Sequence, residues 1–155
     1  MNALMIVDDL RTLPDHLADR ACLMALDLGE KTIGMAVSDD GRRVASSLDT
    51  IRRTKFTKDA ETLLELAGDY AVAGFILGLP VNMDGTEGPR CQSTRQFAAN
   101  LAEKSDLPIA FWDERMSTQA VERHLIAQDV TRKRRAEVVD KMAAQFILQL
   151  SLIHI

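Results

Sequence analysis

The chain has 155 residues, of which 46% are hydrophobic and 27% are charged. These proportions are typical of one globular domain with its own core, and they exclude a disordered or fibrous protein. The formal net charge of −4 provides no overall positive field for nucleic acid, so such contacts would have to come from local patches. The longest apolar runs fall short of the ~18 residues of a membrane helix. Asp8 and Asp9 stand where a signal peptide would be basic, so we expect a cytoplasmic protein with no membrane partner.

The order of predicted elements indicates an α/β fold. Residues 1–20 are predicted to be a peripheral extension, and residues 21–155 to form a single domain. Strands are predicted, in chain order, in CLMALDLG, TIGMAVSDDG, RVASSLDTI, AGFILGLP and LPIAFWDE. Helices are predicted in KFTKDAETLLELAGDYA, ending near Gly68, and over residues 93–104, 119–128 and 135–150. Because the first three strands follow one another directly and the last two are separated by helices, we expect a mixed five-stranded sheet. The first strand should lie centrally, with the fourth and fifth parallel to it.

Acidic residues follow two of the predicted parallel strands. Asp27 ends the first strand, where a buried charge is costly unless it is paired, hydrogen-bonded or bound to a metal. Asp113 and Glu114 end the fifth strand, and parallel strands end at the same edge of a sheet. Since adjacent strand residues point to opposite faces, only one of the two can share a site with Asp27 unless the strand stops at Asp113. The pattern favours Glu114, while solvated strand-end charges remain the alternative.

A fourth acid, Asp140, lies on the last predicted helix. It borders the apolar stripe of that helix, between the small residues Ala136 and Ala144, which leaves room for a close approach to the sheet. Three carboxylates at one sheet edge are the hard oxygen ligands that Mg²⁺ or Mn²⁺ prefers. Such ions support phosphodiester hydrolysis. An ordinary surface carboxylate is the alternative for Asp140.

Two further features are compatible with a phosphate-bearing substrate. Four cations precede the last helix, and they either contact phosphates or form a solvated charge run: Arg132, Lys133, Arg134 and Arg135. The loop GLPVNMDGTEG, which contains Asn82, can bring backbone N–H groups near a ligand, or it is a structural turn. It lacks the P-loop pattern.

Four motifs in order resemble one family: LDLGEKTIGMAVSD, GLPVNMDGTEG, DERMST and VVDKMAAQFILQ. They are similar to those of the YqgF (RuvX) family of pre-16S rRNA nucleases and Holliday-junction resolvase-like proteins, over about residues 22–150. The resemblance implies an RNase H-like fold. It implies catalytic roles for Asp27, for the Asp113–Glu114 pair and for Asp140, and a phosphate contact for Arg115, for which a structural salt bridge is the alternative.

The resulting expectation is a metal-dependent endonuclease that uses Mg²⁺ or Mn²⁺, with Asp27, Glu114 and Asp140 as ligands. Its substrate would be structured RNA, the 5′ end of pre-16S rRNA, and a homodimer is plausible. The alternatives are a resolvase acting on branched DNA and a non-catalytic nucleic-acid-binding factor with the same fold.

Overall fold

The computed structural model describes residues 5–116 and 132–155, with side chains described for residues 5–116 and 142–155. Its strands are β1 (Ile6–Val7), β2 (Cys22–Leu28), β3 (Thr32–Ser38), β4 (Ala45–Arg52), β5 (Val72–Leu79) and β6 (Ile109–Asp113). Its helices are α1 (Phe56–Asp69), α2 (Pro89–Lys104) and α3 (Arg132–His154), with a 3-10 helix at Leu10–His16. The predicted helix over residues 119–128 lies outside the described residues.

The strands form one mixed sheet in the order β1-β6-β5-β2-β3-β4. β5 and β6 run parallel to β2 on one side of it, and β3 and β4 form an antiparallel meander on the other. The predicted α/β fold and the central position of β2 are therefore confirmed.

The sheet has one strand more than the five predicted. Ile6 pairs with Ile109 and Val7 with Ala110, so β1 extends the sheet at its edge. Leu13 of the 3-10 helix that follows is fully buried. A strand of two residues is too short to show an alternating pattern, which is why the sequence did not indicate it. The division of the chain at residue 21 stays a prediction.

Two helix boundaries differ from the prediction. α2 begins at Pro89 rather than at residue 93, because proline at the first position of a helix lacks only an N–H that would be unpaired there. α1 continues past Gly68 to Asp69, and Ala71 takes the left-handed conformation with φ 53°. Gly68 is thus an ordinary helical residue. α3 extends beyond both predicted ends.

Helices cover both faces of the sheet. Even-numbered residues of β2, such as Met24 and Leu26, share a core with α1 and α2. Odd-numbered ones, such as Leu23 and Ala25, share a second core with α3. Strand alternation therefore places Asp27 on the α3 face. Among the described residues, no helix is long and apolar enough to cross a membrane.

Candidate nuclease active site

Asp27 and Glu114 lie together at the carboxyl edge of the sheet. Asp27 is the penultimate residue of β2, and Glu114 follows the last residue of β6. Trp112 of β6 packs in the core on the α3 face, so strand alternation places Glu114, two residues later, on the face where Asp27 lies. Both residues are partly buried, and their carboxyl groups are hydrogen-bonded to each other. Strand β6 ends at Asp113, and of the two neighbouring acids Glu114 is the one that joins Asp27.

Gly78 makes this contact possible. It belongs to β5, the strand between β2 and β6, where it pairs with Trp112 one residue beyond the Leu26–Leu77 pair. A Cβ atom built on Gly78 would fall against the Glu114 carboxyl group, 3.0 Å from its Cδ, and 2.8 Å from Ile147 Cδ1. Glu114 therefore crosses β5 through the space left by the missing side chain. Any larger residue at position 78 would occupy the path between the two acids.

The environment of Glu114 favours its protonated form. Burial, the hydrogen bond with Asp27 and the negative charge of Asp27 raise the pKa of Glu114 to about 8, although the positive charge of Arg90 lowers it. At neutral pH the metal-free site thus favours a protonated Glu114. Two carboxyl groups held this close together are a suitable pair of ligands for a divalent cation, which would replace that proton.

Asp113 faces a different partner. Arg115 donates from Nε to both carboxylate oxygens at 3.0 Å, from Nη2 to Oδ2 at 2.5 Å and from its backbone N–H to Oδ1 at 3.0 Å. These hydrogen bonds hold the pKa of Asp113 below its usual range. The two neighbouring acids therefore differ in environment: Glu114 joins Asp27, whereas Asp113 orients Arg115 beside the loop carbonyl of Met83.

The helix that carries Asp140 passes directly over Asp27. Gly34 of β3 pairs with Asp27, and a Cβ atom built on it would lie 3.6 Å from Asp27 Cβ and 3.8 Å from Ala144 Cβ. Ala144 is buried, and residue 140 precedes it by one helical turn, about 6 Å along the axis. The backbone thus brings the segment with Asp140 near the acid pair. The Asp140 side chain lies outside the described part of the structure.

The remaining predicted substrate contacts are Asn82 and the four cations at the start of α3. The Asn82 side chain donates to Thr86 Oγ1 at 3.0 Å, and its backbone pairs with Thr86 and Gly85, so this asparagine closes its own loop. Arg132–Arg135 form the first turn of α3, and their side chains are not described. Their role as phosphate contacts stays a prediction.

A complete metal centre is not present among the described side chains. Within them, no group of three or more histidine, cysteine, aspartate or glutamate residues is arranged to hold an ion. Asp27 and Glu114 provide two acidic ligands at one place, and the third predicted ligand, Asp140, is beyond what the structure describes.

Sequence reasoning missed two residues that shape this site. Gly78 looked like any glycine in a buried strand, although such glycines often mark a close approach of another group. Arg90 was predicted to lie in a loop. It is instead the second residue of α2, because that helix starts at Pro89, and this places it beside the site.

Comparisons with known proteins identify the family and the fold of this chain. The family model described as RuvX, Holliday junction resolvase, matches residues 21–153. A protein of Paramagnetospirillum magneticum named "Putative pre-16S rRNA nuclease" is 65% identical over 127 residues, which is 82% of each chain. A protein of the same name from Paracoccus denitrificans is 57% identical over 145 residues, covering 94% of this chain and 92% of the other.

A solved structure has the same fold at low sequence identity. T. thermophilus RuvC in complex with Holliday junction substrate superposes with a TM-score of 0.53 at 11% identity, over 86% of this chain and 93% of RuvC. The chain therefore belongs to the RuvX family of nucleases and has the RNase H-like fold that its motifs indicated.

Proposed function

We propose that this protein is a divalent-metal-dependent endonuclease whose cation is held by Asp27, Glu114 and Asp140. The observation that carries the proposal is the hydrogen-bonded Asp27–Glu114 pair at the carboxyl edge of the central strands. A bound Mg²⁺ or Mn²⁺ would activate water and stabilise the leaving oxygen in phosphodiester hydrolysis. Asp113 acts differently in this proposal, because it holds Arg115 in place rather than the cation.

The residues of this chain prepare the site in three ways. Gly78 lets Glu114 reach Asp27, the small residues Gly34 and Ala144 let α3 approach, and partial burial shields the acid pair from part of the solvent. The raised pKa of Glu114 means that metal binding would release a proton at neutral pH. Cation affinity should therefore increase with pH up to about 8.

The proposed substrate is the 5′ end of the precursor of small-subunit rRNA, which would be met in the cytoplasm. The names of the relatives from P. magneticum and P. denitrificans support this choice. The description of the family as Holliday junction resolvases supports branched DNA as the second candidate. A homodimer stays a prediction.

The test is cleavage by the variants Asp27→Asn and Glu114→Gln, with Glu61→Gln on the exposed face of α1 as a charge-matched control. Loss of a ligand removes metal stabilisation worth several kcal/mol, so both site variants should cut at least about 100-fold more slowly. Precursor rRNA and a four-way DNA junction offered side by side identify the substrate. Wild-type rates in both site variants would contradict the proposal, and binding without cleavage at any metal concentration would indicate the non-catalytic alternative.

A further inference from the structure

A small cleft opens at the end of β2, immediately after Asp27. It has a volume of about 130 Å³ and is lined by Leu28, Gly29, Glu30, Arg53, Arg90, Ser93 and Thr94. At about 30 Å³ for a water molecule, this is room for about four waters, the size of a chemical group rather than of a whole nucleotide. Leu28 ends the strand that carries Asp27, so the cleft lies at the same end of β2 as the acid pair, on the α2 face of the sheet.

Two arginines from different elements line this cleft. Arg53 follows β4, and Arg90 is the second residue of α2. Arginine has only donor groups, arranged in a planar fork that matches the oxygens of a phosphate. Arg90 is also close enough to the acid pair for its charge to lower the pKa of Glu114.

Arg53 is held in position before any ligand arrives. Its Nη1 donates to the Gly29 carbonyl at 2.6 Å, and its guanidinium lies 5.7 Å from the centre of the Phe97 ring. The guanidinium has further N–H groups to offer. Because these contacts fix the fork at the wall of the cleft, little side-chain freedom is lost when an anion binds.

We infer that this cleft binds a backbone phosphate of the substrate strand next to the scissile phosphodiester, through Arg53 and Arg90. The inference rests on the proposed function, since it assigns the phosphate to the nucleic acid that is cut. The two cations would fix the strand at a set distance from Asp27 and Glu114. Phosphate contacts of this kind position a nucleic acid without reading its sequence.

Glu30 makes the inference sharper because it opposes binding. It lines the same cleft and is exposed, so its carboxylate would repel a phosphate held there. Removing this charge should strengthen binding, whereas removing the charge of Arg90 should weaken it. A surface that attracts nucleic acid only through its general field would not distinguish these residues from others of the same charge.

The experiment measures binding of a labelled RNA hairpin with a single-stranded 5′ arm by fluorescence anisotropy, in EDTA, over a range of salt concentrations. Arg90→Gln should bind about tenfold more weakly. The slope of log affinity against log salt concentration should also be smaller by about 0.7, the value for one lost phosphate contact to a single strand. Glu30→Gln should bind about threefold more tightly. The controls are Lys104→Gln and Glu103→Gln, exposed at the opposite end of α2, about 21 Å from Arg90 at 1.5 Å per residue.

Each outcome decides the question. Opposite changes in Arg90→Gln and Glu30→Gln, with both controls near wild type, support the cleft as a phosphate site. Equal effects of Arg90→Gln and Lys104→Gln, or no binding by the wild-type protein at low salt, would overturn it. Since the assay reads binding without metal, a failure of the proposed cleavage activity would appear separately, in the Asp27→Asn and Glu114→Gln experiment.

Discussion

Gly78→Ala is expected to separate the two acids of the site without altering either of them. Position 78 lies on β5 between the strands that carry Asp27 and Glu114. The added methyl group would stand 2.8 Å from Ile147 Cδ1 and 3.0 Å from Glu114 Cδ, closer than real Cβ contacts allow. The Glu114 side chain is the one that can move, because it lies at the partly exposed edge of the sheet. Ile147 is held in place by the core around it.

The size of the effect follows from these distances. Overpacking of this kind costs about 1–3 kcal/mol in the free energy of unfolding. Relief of the overlap requires Glu114 to shift by about 1 Å, and a catalytic group misplaced by this amount costs about 100-fold in rate. Gly78→Ala should therefore cut almost as slowly as Glu114→Gln while remaining folded.

The assay combines urea unfolding with the initial cleavage rate on the preferred substrate. Gly68→Ala is the matched control, since a Cβ atom at this helical position would meet nothing within 4 Å. Alanine should stabilise that helix by about 0.5–1 kcal/mol and leave the rate unchanged. Wild-type cleavage by Gly78→Ala would refute the reasoning, because Glu114 would then not need the space above β5.

Three further predictions concern the same edge of the sheet. In the metal-free protein the folded state keeps a proton on Glu114 that the unfolded chain releases, because burial and Asp27 raise the pKa of Glu114 to about 8. The free energy of unfolding should thus fall between about pH 5 and 8, by at most about 1.4 kcal/mol per pH unit. Urea titrations of Glu114→Gln at several pH values should lack this fall. The same fall with pH in the variant and in the wild type would show that Glu114 does not hold the proton. Asp113→Asn should lower the free energy of unfolding by about 1 kcal/mol at neutral pH. Because the pKa of Asp113 is lowered in the folded protein, the wild type should lose the same stabilisation as the pH falls through that pKa. Its cleavage rate should stay within about tenfold of wild type, and a loss as large as that of Glu114→Gln would reverse the roles of the two acids. Gly34→Ala should be nearly neutral in thermal unfolding, because its Cβ would meet Ala144 Cβ at 3.8 Å, an ordinary contact distance. Gly34→Val should instead lower the free energy of unfolding by about 1–3 kcal/mol. Equal stabilities of the two variants would show that α3 does not pack closely against this position.

The arrangement of the sheet could be predicted because its strands carry strong patterns. β2 and β5 are continuous apolar runs, typical of strands buried on both faces, and the intervening helix has clear helical periodicity. The position of the acids at one edge then follows from parallel topology. β1 could not be predicted, since its two residues become a strand only through pairing with β6, a contact that lies about a hundred residues along the chain.

The choice between Asp113 and Glu114 depended on which face of the sheet each residue of β6 occupies, and the sequence did not show this. In the structure Trp112 packs on the α3 face, so alternation directs Glu114 to that face and Asp113 to the other. The pairing of Asp113 with Arg115, two residues later, is local and could have been suspected from an acid and a base at that spacing. The proximity of Glu114 to Asp27 is not local, because it depends on Gly78 in a third strand.

The two cleft arginines show a different limit. Arg53 and Arg90 are 37 positions apart in the chain, and nothing in their immediate sequence distinguishes them from other surface cations. Both line the cleft because the end of β4 and the start of α2 lie beside the end of β2. A run such as Arg132–Arg135 attracts notice in a sequence, whereas a pair assembled by the fold does not.

The central claim is that Asp27 and Glu114 hold the cation used in cleavage. Crystals soaked in Mn²⁺ test it most directly, through anomalous difference density at the manganese edge. We expect a peak about 2 Å from a carboxylate oxygen of Asp27 and of Glu114, and its loss in Glu114→Gln crystals treated identically. A peak bound by Asp113 instead, or no peak between the two acids at a Mn²⁺ concentration that supports full cleavage, would contradict the claim.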